Sequence, residues 1–90
     1  MTITVSIPAN MLPLTRGLSK VTAAGSSVLQ VIDDLDARYP GIRDQVAAKG
    51  KVHRFMNVYV NDEDIRFKDS LNTEVREGDC LTLISAVAGG

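Results

Sequence analysis

The residues with most chemistry to offer stand at the end of the chain. From Cys80 to Gly90 the sequence reads CLTLISAVAGG and carries no charged side chain. Domain ends are free to be polar and disordered, so a small, apolar end has some other purpose. Glycine has no Cβ, so such a tail suits a narrow channel beside another protein's backbone. Ala86, Val87, Ala88, Gly89 and Gly90 would together reach roughly 17 Å at ~3.4 Å per residue. The reacting group is then the α-carboxylate of Gly90, whose carbonyl carbon no branched side chain shields. A free carboxylate is a poor acyl donor and must be activated, most simply as an acyl-adenylate. The chain has no G-x-x-x-x-G-K-[ST] loop and no G-x-G-x-x-G turn, so a separate enzyme must use the ATP.

Other reactive residue types are sparse. The one histidine, His53, lies in the basic stretch Lys49-Gly50-Lys51-Val52-His53-Arg54. A general base needs an orienting partner, so this histidine reads as a solvated loop residue. The stretch around it offers at most electrostatic steering toward an acidic surface. Asp62-Glu63-Asp64 is too short for a calcium loop, whose ligands spread over about 12 residues, and reads as a solvated hairpin turn. With one cysteine, Cys80, an intrachain disulfide, a Cys₄ zinc site and a cysteine-ligated iron–sulfur cluster are excluded, and with them a ferredoxin-like electron carrier. Cys80 reads as an inert thiol at a strand start. Asp33, Asp34 and Asp36 read as the wet face of a helix. No bound cofactor or metal and no catalytic residue are expected.

Composition narrows the partners. Ninety residues with 10 Lys and Arg against 11 Asp and Glu give a net charge of −1. Nucleic-acid binding needs clustered positive charge to displace counterions, and a polybasic membrane anchor needs it too. No apolar run approaches the ~18 residues of a membrane span, and TITVSIP lacks the features of a signal peptide. A small domain without bridges suits a reducing compartment, so a cytoplasmic location is expected. Residues 1–90 make one domain, since single cores span roughly 50–200 residues. Aromatics are only 4%, so Val, Ile and Leu must fill the core.

The elements that position the tail follow from periodicity. Residues 2–7 alternate, with Ile3, Val5 and Ile7 on one face, and Pro8 ends the strand. Residues 9–17 read as a connection. A weaker strand over 18–24 turns Val21 and Ala23 inward and stops at Gly25. Ser27 and Gln30 fit a capping box, and Val28, Val31, Ile32, Leu35 and Tyr39 follow at helical spacing until Pro40-Gly41. Residues 42–48 add one more turn. The stretch 54–61 alternates Met56, Val58 and Val60 against Phe55, Asn57 and Tyr59. Residues 65–67 make a short strand at most, 68–79 a polar connection, and 80–87 the last strand, with Leu81 and Leu83 inward. The order β-β-α-β-β-β, with one helix crossing one sheet, describes a β-grasp: an α+β fold of one mixed sheet wrapped on one main helix, ending in a protruding Gly-Gly tail.

These features resemble the ThiS/MoaD family of ubiquitin-like sulfur carriers. The resemblance runs over the whole chain and is carried by the helix from Ser27, the strand at 54–61, Leu71, Glu77-Gly78-Asp79, Leu83, Val87 and Gly89-Gly90. Within the family, HRFMNVYVNDEDIRF and the ending AVAGG look most like the actinobacterial carriers for cysteine synthesis. Thiamine-pathway carriers are usually shorter, and many molybdopterin-pathway carriers have prolines where this chain has Ser85-Ala86.

The resemblance implies a cycle in which the chain is carrier and substrate, not enzyme. An E1-like adenylating and sulfurtransferase enzyme uses ATP to activate Gly90. A sulfur donor then displaces AMP and leaves a 1-thioglycine thiocarboxylate. In the cysteine branch, the acceptor is a serine derivative held by a pyridoxal-phosphate cysteine synthase. A JAMM-type zinc metalloprotease frees the cysteine. The fold implied by the family sets the strand at 54–61 beside the last strand, so that Phe55, Tyr59 and Ile84 cluster on the outer face as a docking surface. Two other readings share the pattern: a modifier that forms isopeptide bonds to lysines, and a passive β-grasp interaction module.

Overall fold

The computed structural model describes residues 2–85 of the chain. Five strands form one mixed sheet in the order β2-β1-β7-β5-β6. They are β1 (Thr2–Ser6), β2 (Lys20–Ala24), β5 (Met56–Val60), β6 (Glu63–Asp64) and β7 (Cys80–Ser85). β1 is antiparallel to β2 and parallel to β7, while β5 is antiparallel to β7. Helix α1 (Val28–Arg38) crosses this sheet, which is the expected β-grasp arrangement. Helix α2 (Ile42–Val46) follows, then a two-stranded ribbon of β3 (Ala47–Ala48) and β4 (Lys51–Val52).

The core is made by the alternations read above. Val28, Val31, Ile32 and Leu35 of α1 are fully buried, as are Ile3, Val5 and Leu81 of the sheet. Met56, Val58, Val60 and Leu83 lie on the same inward side and are also buried. Each such side chain contributes roughly 1.5–3 kcal/mol against exposure. Gly25 does more than break β2. A Cβ there would stand 2.8 Å from the Val31 backbone nitrogen, so glycine lets the chain pass this close to the helix.

The helix start differs in one detail from a simple capping box. Ser27 Oγ accepts from the Gln30 N–H at 3.2 Å, but Gln30 Oε1 returns to the Ser26 N–H at 2.8 Å rather than to Ser27. The Val28 N–H is taken by the Thr73 carbonyl at 3.0 Å, so a segment distant in sequence completes the cap.

Expectations for five segments are corrected. Residues 9–17 are not an open connection: Ala9–Thr15 form a 3₁₀ helix that buries Met11 and Thr15. Thr15 Oγ1 is satisfied by the Leu18 and Leu12 carbonyls at 2.7 and 3.2 Å. Residues 65–67 form a 3₁₀ turn, not a strand, because Ile65 is buried and Asp64 caps the Arg66 N–H at 2.8 Å. The outer strand is instead Glu63–Asp64, joined to β5 by the two-residue turn Asn61-Asp62, so the acidic run is partly strand. The polar connection 68–79 buries Leu71, Thr73 and Val75 under α1. Helix α2 stops at Val46 rather than 48, where Ala47 turns into β3.

The helix acids hold structure together. Asp34 Oδ2 accepts from the Ala24 N–H at 2.9 Å and from Arg38 at 3.0 Å, while Arg38 donates to the Thr22 carbonyl at 2.6 Å. This ion pair closes the free backbone edge of β2, which would otherwise invite pairing with another chain. Asp36 Oδ1 accepts from the Gly41 and Arg43 N–H groups, both at 3.1 Å, at the start of α2.

Candidate functional site

The site is built on β7, whose last described residue, Ser85, precedes the tail. Ala86, Val87, Ala88, Gly89 and Gly90 lie outside the described residues. What the structure establishes is how the strand that delivers them is held.

The Glu77-Gly78-Asp79 element sets the start of β7. Gly78 has φ +87°, the left-handed turn that glycine tolerates best, and its N–H donates to the Thr2 carbonyl at 3.2 Å. Glu77 Oε1 accepts from the Thr2 N–H at 2.8 Å, and the Asp79 carbonyl accepts from the Thr4 N–H at 3.2 Å. Asp79 Oδ2 closes the turn on the Arg76 N–H at 2.9 Å. From the other side, Asn61 accepts the Cys80 N–H on Oδ1 at 3.1 Å and donates its own N–H to the Cys80 carbonyl at 2.7 Å. The parallel register of Thr4 with Cys80 and the antiparallel register of Val60 with Leu81 follow from these ties.

Beyond Thr82, β1 no longer accompanies β7, because Pro8 turns the chain into the 3₁₀ helix. The end of β7 keeps β5 as its strand neighbour, with Ser85 opposite Met56. On the other side, Asn10 Nδ2 reaches Ser85 Oγ at 3.3 Å. Arg66 Nη2 donates to the Met56 carbonyl at 2.7 Å, which sets a guanidinium beside the point where the tail departs.

Alternation divides the outer face. Tyr59 opposes Thr82, and Asn57 opposes Ile84, so Tyr59 and Ile84 are diagonal neighbours on one face of the β5–β7 pair. Ile84 is 44% exposed and Tyr59 is half-buried. Phe55 is also 44% exposed but stands in a turn just before β5, not in the strand expected over 54–61. It is positioned by His53, whose ring stacks on it at 5.1 Å and 6°. His53 Nε2 in turn lies 2.8 Å from the Asp44 carbonyl oxygen. The histidine read as a solvated loop residue therefore props an aromatic. Phe55 is only two residues away, and the turn before β5 brings the two rings together; the contact with Asp44 is made by folding. Cys80 is exposed on the outer face, as alternation required. Among the described residues no cluster of metal-ligating side chains occurs. No described helix is long and apolar enough to cross a membrane.

Comparison with known proteins agrees with this arrangement. The sulfur carrier protein CysO of Mycobacterium tuberculosis is 47% identical over a 93-residue alignment that covers all of both chains. Its crystal structure superposes with a TM-score of 0.90 at 45% identity, covering 93% of this chain and 98% of that one. The CysO structure from the Amycolatopsis orientalis BexX/CysO complex gives a TM-score of 0.93 at 50% identity, covering 98% and 99%. Small archaeal modifier protein 1 of Methanosarcina acetivorans shares the fold, with a TM-score of 0.83 at 23% identity over 99% and 96%. The ThiS family profile matches residues 5–90, and with these full-length relatives the chain belongs to the ThiS family.

Proposed function

We propose that this chain is a sulfur carrier for cysteine biosynthesis, working in the cytoplasm on its C-terminal carboxylate. The observation that carries the reading is 47% identity over the full length to a CysO carrier, in a sequence whose last residues are Gly89-Gly90. An E1-like enzyme transfers AMP from ATP to the Gly90 carboxylate and releases pyrophosphate. Sulfide sulfur attacks the acyl carbon, AMP leaves, and a thiocarboxylate remains. Sulfur is a better nucleophile than carboxylate oxygen, so it bonds to the β-carbon of an activated serine derivative held by a pyridoxal-phosphate enzyme. The derivative's oxygen leaving group departs, and cysteine is left joined to the Gly90 acyl group, a link that water can cleave. A JAMM-type metalloprotease then releases cysteine and restores Gly90. Phe55, Tyr59 and Ile84 serve as the docking surface, and Ala86, Val87 and Ala88 thread the partner's channel. An exposed apolar group beside a reactive tail is a typical interface core.

Mass spectrometry tests the reading. Incubation with the E1-like enzyme, ATP and sulfide should exchange one oxygen for sulfur on Gly90. Deletion of Gly90 should abolish pyrophosphate exchange while leaving the melting temperature unchanged, and normal exchange by that variant would sink the carrier reading. Ile84→Asp should raise the KM for exchange at least tenfold while the protein stays folded. Lysine conjugates formed without any thiocarboxylate would favour the modifier reading.

A further inference from the structure

We propose that the end of the molecule from which the tail leaves is a positively charged docking pole, which fits an acidic rim on the protein that receives the tail. This deepens the carrier reading and rests on it for the identity of that protein.

Two arginines stand at this end, and two lysines precede them in the chain on the ribbon that leads into it. Lys49 and Lys51 stand on the β3–β4 ribbon, and Arg54 follows where the ribbon leads into β5. Arg66 joins them through its hydrogen bond to Met56, the residue opposite Ser85. All four side chains belong to exposed residues, and among the described residues none forms an ion pair. The ribbon presents its charges on ordered backbone: Ala47 pairs with Val52, and Ala48 with Lys51.

The carboxylates facing this region are largely engaged. Asp33 is 2.9 Å from Arg43, and Asp36 accepts the backbone N–H groups of Gly41 and Arg43. The hydrogen bond from Arg43 to Asp33 raises the guanidinium pKa, followed by the charges of Asp33, Asp36 and Asp44. Arg43 is thus balanced by its own acids. Asp44, exposed on α2, lines the same cavity as Ala48 and Lys49 of the ribbon and has no ion pair among the described residues.

The opposite end of the β5–β7 pair has the reverse sign. Asp62 tops the β5–β6 turn, and Glu77 and Asp79 flank the start of β7. Glu63 and Glu74 lie near them, paired with Lys68 and Arg76. With a net charge of only −1, the whole molecule exerts little pull on a charged partner. Orientation therefore depends on this separation of charge, which favours approach tail-first toward an acidic surface and raises the encounter rate. The chemistry of the partner follows: Asp and Glu around the mouth of the channel that takes the tail.

Binding of the full chain to the E1-like enzyme, titrated without ATP, tests this separately from activation. Lys51→Glu/Arg54→Glu should weaken binding roughly tenfold and flatten its dependence on salt, because exposed charge pairs are screened beyond about 10 Å at 0.1 M salt. In pyrophosphate exchange the same variant should show a raised KM with kcat unchanged. Asp62→Lys, at the far end, should leave binding unchanged. Circular dichroism should show both variants folded, and Lys51→Ala/Arg54→Ala should give an intermediate loss. Salt-independent binding by the wild-type chain, or full affinity in the double reversal, overturns the proposal. Salt-dependent binding without any adenylation would instead overturn the carrier reading and leave the pole standing.

Discussion

At its beginning β7 is gripped from both sides, by Asn61 and by the Glu77-Gly78-Asp79 turn on β1. At its end it is held by β5 and by one long hydrogen bond from Asn10 to Ser85. The two ends have opposite tasks. A shift of one residue in β7 would turn Leu81 and Leu83 outward and Thr82 and Ile84 into the core. The beginning must forbid that shift, and polar ties of fixed geometry do so. Under the proposed function the end hands the tail to another protein, so every internal bond there is one that docking would have to break or accommodate.

The comparison can be broken by removing one support at a time. The largest effect is expected from Leu83→Ala, which empties a core position 2% exposed. A loss of about 2–5 kcal/mol in urea unfolding is expected. A loss below ~1 kcal/mol would mean that the core does not hold β7 in register. Next is Asn61→Ala, which removes the side-chain bonds to Cys80 and Asp79 and places alanine at φ +57°. A cost of about 1–2 kcal/mol is expected from the lost bonds and the left-handed backbone. Asn61→Gly keeps the turn without its side-chain bonds and should cost less, so the difference separates the two causes. The smallest effect is expected from Asn10→Ala. Its bond to Ser85 is exposed, so stability should change by no more than ~0.5 kcal/mol and activation should stay unchanged. A cost for Asn10→Ala equal to that for Asn61→Ala would erase the distinction between the two ends.

Much of this was legible in the chain. The inward residues of β1, β2, β5 and β7 and the buried stripe of α1 were readable because burial on one face imposes period 2 or 3.6 on the sequence. The segments misread were those whose shape comes from distant partners. The 3₁₀ helix at Ala9–Thr15 forms because Met11 and Thr15 find cover. Residues 68–79 look polar yet send Leu71, Thr73 and Val75 inward; this alternation spans only five residues and its middle member is polar, so it does not stand out in the sequence. The strand of two residues at Glu63–Asp64 consists of acids, and its β character comes only from pairing with β5.

What the sequence determined by itself was the faces, and it supplied the residues on which the proposed chemistry rests. The uncharged tail and terminal glycines carry the proposed reactive end, and strict alternation decides that Leu83 is inside and Ile84 outside. Tertiary structure alone decided what surrounds that end. It brought the Asp44 carbonyl to His53 and bonded Arg66 to Met56, the residue opposite the end of β7. It also turned the helix acids from a wet face into an edge guard for β2 and a cap for α2. The physical reason is range. Periodicity records which side of a local element meets water, whereas a side chain's partner across the fold is chosen only when the sheet and helix have closed on each other.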